Sequence, residues 1–199
     1  MKKSSLLSKA LLGAAVVTLS VMGSCKTEPK QEDPKEVAED ANDENLDTEA
    51  TDSLEDDSTY LVDAAEVDLK EINLGKLAQT KSTNADVKAL GKMMVEAHTK
   101  ASETTKALAA KKGITLPASL TEKGQDAFKD LNEKTGADFD KAYTDEMVDG
   151  HEKTIKKIEK ASEKAKDPDV RMWAANMLPE LNKHLEHSKM AKEKVDAIK

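Results

Sequence analysis

Several residue types and patterns that commonly carry a fold or a chemistry are scarce in this chain. Its 199 residues include one cysteine, Cys25, which excludes intrachain disulfides and metal sites built from several thiolates. Aromatic residues make up only 3% of the chain, and runs of β-branched residues are few, whereas Ala, Lys, Glu and Leu are abundant. This composition favours helices over strands. Beyond the N-terminal segment, no apolar run approaches the roughly 20 residues needed to cross a bilayer.

The N-terminus is predicted to be a lipoprotein signal peptide over residues 1–24. Two lysines precede an apolar run from Leu6 to Val21, and Met22-Gly23-Ser24 then lead to Cys25. This order is typical of secretory signals, and its end resembles the bacterial lipobox, whose cysteine becomes the lipid-modified first residue. We expect a protein anchored to the membrane through lipidated Cys25 in the cell envelope, at the outer membrane, facing the periplasm or the surface. A plain signal peptide that ends in a chance cysteine is the alternative.

Residues 25–58 are predicted to be an acidic, disordered tether. From Glu28 to Ser58 there are 14 acidic residues against two lysines, with almost no large apolar side chain, so the segment cannot bury enough surface to fold. Residues 59–199 are neutral overall. Their dispersed charges argue against nucleic acid as a partner, and the sequence does not indicate which protein partner, if any, is bound.

Residues 59–199 are predicted to form an all-α domain, a ferritin-like four-helix bundle. Apolar residues recur at spacings of three and four over about 59–81, 84–112, 138–166 and from 168 onwards. Gly113 is expected to end the second helix, and a shorter helix is expected from Thr121 to about Lys134. Short turns near residues 83 and 167, with a long crossover between the second and third helices, are typical of ferritin-like bundles. A plain up-and-down bundle and a longer coiled coil are the alternatives, and the break from Gly113 to Pro117 argues against the coiled coil.

Three histidines lie within the apolar stripes of these helices. Two belong to a repeated pentapeptide, Met94-Val95-Glu96-Ala97-His98 and Met147-Val148-Asp149-Gly150-His151, and the third is His184 in the last helix. The first helix contributes an acid, Glu71, on its apolar side. The chain thus carries its best candidates for chemistry inside the predicted core.

The rise of a helix allows the heights of these residues to be compared. His151 lies 16 residues before the turn near residue 167 and His184 lies 17 after it, so the two should meet within about 1.5 Å in height. His98 lies 15 residues after the turn near residue 83, whereas Glu71 lies 12 before it, a mismatch of about 4.5 Å. Glu66, at 17 before the turn, matches better in height but sits at the edge of the apolar face.

Buried imidazoles and carboxylates need partners, which they can supply to one another or find in a metal ion. The candidate metal ligands are Glu71, His98, His151 and His184, and neutral imidazole with carboxylate suits one transition-metal ion, Zn, Cu, Mn or Fe. Further ligands or supporting groups are Glu66, Met94, Met147, Glu180 and His187.

Two functions remain open. The first is a non-enzymatic envelope protein whose bundle acts as an interaction or stress-related module, with the histidine layer structural. The second is a metal-binding, redox-active protein that uses that layer. No catalytic residue is assigned, because no serine or cysteine nucleophile accompanies the histidines in a recognisable arrangement.

The ordered motifs over residues 59–196 resemble a family of exported bacterial proteins described as outer membrane proteins, the domain of unknown function 4142. The similar blocks are the two pentapeptides, Leu116-Pro117, Glu71 to Ala78, Phe139 to Tyr143 and Leu178 to Leu185. The resemblance implies a ferritin-like fold and brings no established activity.

True di-iron bundles place a glutamate three residues before the metal-binding histidine on two helices. In this chain Val95, Val148 and Leu181 occupy those positions. A di-iron carboxylate centre is therefore not expected, and iron storage or ferroxidase activity does not follow from the fold.

Overall fold

The computed structural model describes residues 32–45 and 52–198, which form six helices and no strand. The helices are α1 (Pro34–Asn45), α2 (Asp52–Lys81), α3 (Ala85–Lys112), α4 (Glu122–Asn132), α5 (Gly136–Lys164) and α6 (Pro168–Asp196). None of the helices in this part of the chain combines the length and the hydrophobicity of a bilayer-spanning segment. The predicted signal peptide and Cys25 lie outside the described residues.

The predicted helix ends have identifiable caps. Asn84 accepts hydrogen bonds from the amides of Asp86 and Val87 at the start of α3, and Asp167 accepts hydrogen bonds from the amides of Asp169 and Val170 in the first turn of α6. Gly113 ends α3 in the left-handed conformation, with φ of 71°, which a glycine adopts at little cost. α6 continues through Pro179.

Contacts at the helix ends establish the connectivity of the bundle. At one end, Ser82 donates to Asp140 and Lys194 pairs with Asp86, so α2 meets the start of α5 and α6 meets the start of α3. At the other end, Lys112 pairs with Asp167, so the end of α3 meets the start of α6. Neighbours therefore run antiparallel, whereas α3 and α5 start at the same end. The connection that contains α4 returns along the bundle, as in ferritin-like folds.

Residues 34–45 and 52–58, within the segment 25–58 predicted to be a disordered tether, are helical. Helix α1 lies against the bundle through Lys35, which pairs with Asp63 and Glu66, and through Asn42, whose amide exchanges two hydrogen bonds with the backbone of Thr115. Helix α2 begins at Asp52. The many acidic residues of this segment indicated that it would repel itself. The residues that hold α1 in place through these contacts lie 28 or more positions away along the chain.

Asp57, in the same predicted tether, is a fully buried residue of the fold. Its carboxylate accepts hydrogen bonds from the amides of Lys166 at 2.9 Å and Asp167 at 2.6 Å. These amides belong to the turn between α5 and α6, whose buried backbone donors need acceptors. The folded domain therefore starts earlier than residue 59.

Two glycines allow α2 and α3 to approach at backbone contact. A Cβ added to Gly75 would lie 2.7 Å from the carbonyl oxygen of Gly91, and one added to Gly91 would lie 2.8 Å from that of Gly75. The nearest atoms are backbone oxygens, so a methyl group at either position would force the two helices apart. The two helices that cross here also carry Glu71, on α2, and His98, on α3.

We expect Gly91→Ala to lower the free energy of unfolding by about 1–3 kcal/mol because the added methyl overpacks the crossing. The matched control is Gly150→Ala, also inside a helix, where the nearest atoms would be at 3.5 and 3.7 Å. That variant should be neutral or gain up to about 1 kcal/mol in helix propensity. Urea denaturation of both proteins checks this, and equal stability of the two variants would contradict the role of the crossing.

Candidate metal centre

A layer of polar side chains divides the core of the bundle into two apolar clusters. One cluster includes Leu74, Leu90, Met94, Phe139 and Met147, and the other includes Leu61, Ile155, Ile158, Trp173 and Leu181. The buried polar residues between them are Asp68, Glu71, His98, Ser102, Thr105, His151, Thr154, His184 and Ser188. The three predicted histidines are thus buried at the middle of the bundle.

His98, on α3, is held by a carboxylate from α2. Its Nδ1 lies 2.9 Å from Oδ1 of Asp68, and both side chains are buried. An ionised carboxylate can only accept, so Nδ1 is the donor in this hydrogen bond, and in a neutral ring the lone pair then lies on Nε2. Burial raises the pKa of Asp68, although the hydrogen bond to His98 acts in the opposite direction.

His151, on α5, is held in the same way by its own helix. Its Nδ1 lies 2.7 Å from the carbonyl oxygen of Met147, which also can only accept, so Nδ1 is again the donor. Its Nε2 faces Nε2 of His98 at 3.5 Å. When both rings are neutral, the two facing Nε2 atoms carry lone pairs and neither has a proton to share.

His184, on α6, completes the cluster and has no hydrogen-bond partner on either ring nitrogen. Its ring centroid lies 5.3 Å from that of His98 and 5.4 Å from that of His151. One ligand atom from each of the three residues lies within 4.8 Å of the other two. Burial, followed by the neighbouring histidines, lowers the pKa of His184 to about 3.

Glu71 is buried beside this cluster but is not one of the three converging groups. One of its carboxylate oxygens has no partner, and the other lies 3.7 Å from Nζ of Lys70. It lies against the backbone of α5, because Oε1 is 3.5 Å from where a Cβ of Gly150 would stand. Burial lowers the pKa of His151, and the charge of Glu71 partly opposes that shift.

The residues predicted to be further ligands or supporting groups lie outside the cluster of three histidines. Glu66 is engaged with Lys35 and with the hydroxyl of Thr121, each at 3.2 Å. Met94 and Met147 are fully buried in one apolar cluster. The side chain of Glu180 is 58% exposed, and its Oε1 stays 3.8 Å from Nε2 of His184, beyond hydrogen-bond distance.

His187, the remaining secondary candidate, faces a different group. Its Nδ1 lies 2.9 Å from the sulfur of Met93 at the edge of the bundle. It is therefore not part of the buried cluster.

Asp68 is the one residue of the site that the sequence analysis missed. It lies 15 residues before the turn near residue 83, and His98 lies 15 after it, so the heights are equal. The same comparison that made Glu71 a poor match thus identifies Asp68. The residue also lies between Ala64 and Glu71 at the spacings of an apolar helix face.

The family model of a domain of unknown function (DUF4142) matches residues 41–191. The chain belongs to this family. No curated protein and no solved structure matches the chain. Membership in DUF4142 confirms the resemblance, and the match begins inside the segment predicted to be a tether.

The arrangement in this DUF4142 protein differs from a di-iron carboxylate centre. Among the described residues of the polar layer, the buried acids are Asp68 and Glu71, and both lie on α2. A di-iron site needs carboxylates from several helices to bridge two ions. Three imidazoles that converge on one point suit a single ion.

We expect the metal-free protein to lose stability as the pH falls from about 6.5. The pKa of His184 is lowered to about 3 and that of His151 is lowered as well, so above pH 6.5 the folded and unfolded chains both hold neutral imidazoles. Below it, the unfolded chain binds protons that the folded chain does not. Protonation of His184 in the unfolded chain should by itself lower the free energy of unfolding by about 2 kcal/mol between pH 8 and pH 5.

Thermal unfolding at pH 8 and pH 5 measures this loss, with His184→Leu as the control. The variant lacks the group with the largest downward shift and should lose less stability over the same range. Identical pH profiles for the two proteins would contradict the assignment.

Proposed function

We propose that the protein binds one transition-metal ion through His98, His151 and His184. The observation that carries the proposal is the arrangement of the ring nitrogens. Nδ1 of both His98 and His151 donates to a fixed acceptor, so in the neutral rings two Nε2 lone pairs face each other at 3.5 Å. Both ring nitrogens of His184 have no hydrogen-bond partner.

A purely structural layer would pair these atoms. Buried polar atoms without partners cost free energy, typically about 1–3 kcal/mol each. An ion that accepts the three lone pairs removes that cost and replaces the repulsion between the facing Nε2 atoms with attraction. This favours the metal-binding hypothesis over the structural one.

The surrounding groups suit a divalent ion. Metal-binding histidines commonly donate their second nitrogen to a carboxylate or a backbone carbonyl, which fixes the ring and raises its basicity. Asp68 does this for His98, and the carbonyl of Met147 does it for His151. The buried carboxylates of Asp68 and Glu71 supply negative charge that a dication in an apolar core requires.

The donor set selects among the metals. Imidazole suits Zn, Cu and Fe, whereas Mn prefers carboxylate and water oxygens. We therefore expect the protein to bind Zn(II), Cu(II) or Fe(II). Three protein ligands leave room for a further ligand on the ion.

The test is the metal content of full-length protein purified without chelator or affinity tag and then exposed separately to Zn, Cu, Mn and Fe. We expect one tightly held ion per chain. His184→Leu should abolish it while keeping the fold, since the imidazole makes no hydrogen bond that leucine would break. Asp68→Asn should weaken binding by about 10- to 100-fold.

Thr105→Val is the matched control. Thr105 is buried in the same layer, and its hydroxyl bonds only within α3, to the carbonyl of Ala101. It should bind the ion like the unmodified protein. The absence of a stoichiometric ion for all four metals, or an undiminished ion in His184→Leu, would overturn the proposal.

We further propose that this protein acts in the bacterial cell envelope, attached to the membrane through lipidated Cys25. The support is the predicted signal peptide over residues 1–24, with small residues directly before the single cysteine. The acidic residues that follow, up to the start of α1, carry no long apolar run. Attachment through a lipid rather than a helix agrees with the long apolar run being confined to the predicted signal peptide.

Cys25→Ser should convert the protein from a membrane-bound to a soluble exported form. Fractionation of cells that express each form, with incorporation of a labelled fatty acid, measures this. Equal membrane association and equal lack of label in both forms would contradict the anchor.

A further inference from the structure

A groove between α3 and α6 brings together two thioethers and an imidazole at the surface of the bundle. Met93 lies on α3, and His187 and Met190 lie three residues apart on α6. All three line a cavity of about 260 Å³, with Ala89, Leu90 and Ala191 as apolar walls. This cavity is separate from the buried cluster of His98, His151 and His184.

Two of the donor atoms lie close together, and the third donor residue is exposed to solvent. Nδ1 of His187 lies 2.9 Å from the sulfur of Met93 across the two helices. Met190 is 49% exposed, unlike a methionine that fills a core. Methionine side chains are unbranched and flexible, so both thioethers can adjust around an ion between the helices.

The structure assigns this groove as a binding site for a soft monovalent cation, Cu(I) or its redox-inert analogue Ag(I), held by Met93, His187 and Met190. Thioether sulfur selects Cu(I), and imidazole also suits it, whereas hard cations prefer oxygen. The acidic side chain at the groove, Asp86, is already paired with Lys194. The two thioether donors carry no charge, which matches a monovalent ion better than a dication.

This site does not depend on the proposed function of the buried cluster. His187 lies one helical turn from His184, but the donors differ in chemistry and in exposure. Each site can therefore be removed while the other is retained, and the two proposals can fail separately.

The decisive experiment titrates full-length protein with Cu(I) in competition with a Cu(I)-specific chelator. The background carries Cys25→Ser and His184→Leu, so that the thiol is absent and the buried cluster keeps only two of its three imidazoles. We expect one Cu(I) per chain, with Met93→Leu, Met190→Leu and His187→Asn each weakening it by about tenfold or more. Leucine keeps the volume of methionine and removes only the sulfur.

Met172→Leu is the matched control, because Met172 is 59% exposed on the same helix and does not line the groove. It should leave the affinity for Cu(I) unchanged. Weakening by Met172→Leu equal to that by Met93→Leu would overturn the proposal, as would undiminished affinity in all three groove variants.

A second readout uses the protein with His184 intact. On addition of Ag(I), the methyl NMR signals of Met93 and Met190 should shift, and that of Met172 should not. Shifts of equal size at all three methionines would show nonspecific binding and overturn the site, whether or not the buried cluster binds a divalent ion.

Discussion

The hydrogen bond between Asp68 and His98 is the constraint on which the arrangement of the core depends. It places an acid and an imidazole, both removed from water, at one height on α2 and α3. A buried pair of this kind is costly when broken, because each partner is left without compensation. The register of the two helices is therefore fixed to within much less than a turn, and the close crossing at Gly75 and Gly91 agrees with the same register.

The rest of the bundle follows from that register. Ion pairs and caps at both ends hold α5 and α6 against the first pair, so that His151 and His184 arrive at the height of His98. The fold is that of a ferritin-like bundle, yet valine or leucine stands where di-iron proteins carry glutamate. A scaffold best known for bridging carboxylates here presents imidazoles, and the buried acids of the described polar layer both lie on α2.

The sequence predicted the helices and much of the layer, because both depend on local spacing. The periods of three and four residues placed α2 to α6 within a few residues of their observed bounds, apart from the early start of α2. The heights of His151 and His184 follow from helix rise and a short turn. Asp68 was missed although its height was equally readable, since aspartate on a helix usually faces solvent. Helix α1 was missed because its stability comes from Lys35 and Asn42 contacting distant parts of the chain.

The three histidines lie on three different helices, and this has a mechanical consequence. His98 and His151 are 53 positions apart, and His151 and His184 are 33 apart. An ion bound by all three would close two long loops at once, in a chain whose single cysteine allows no disulfide within it. For a covalent cross-link, loops of this size correspond to about 4 kcal/mol each in the chain-entropy estimate. Bound metal would thus act as a reversible cross-link between three helices, and the stability of the folded bundle would depend on the concentration of the free ion around it.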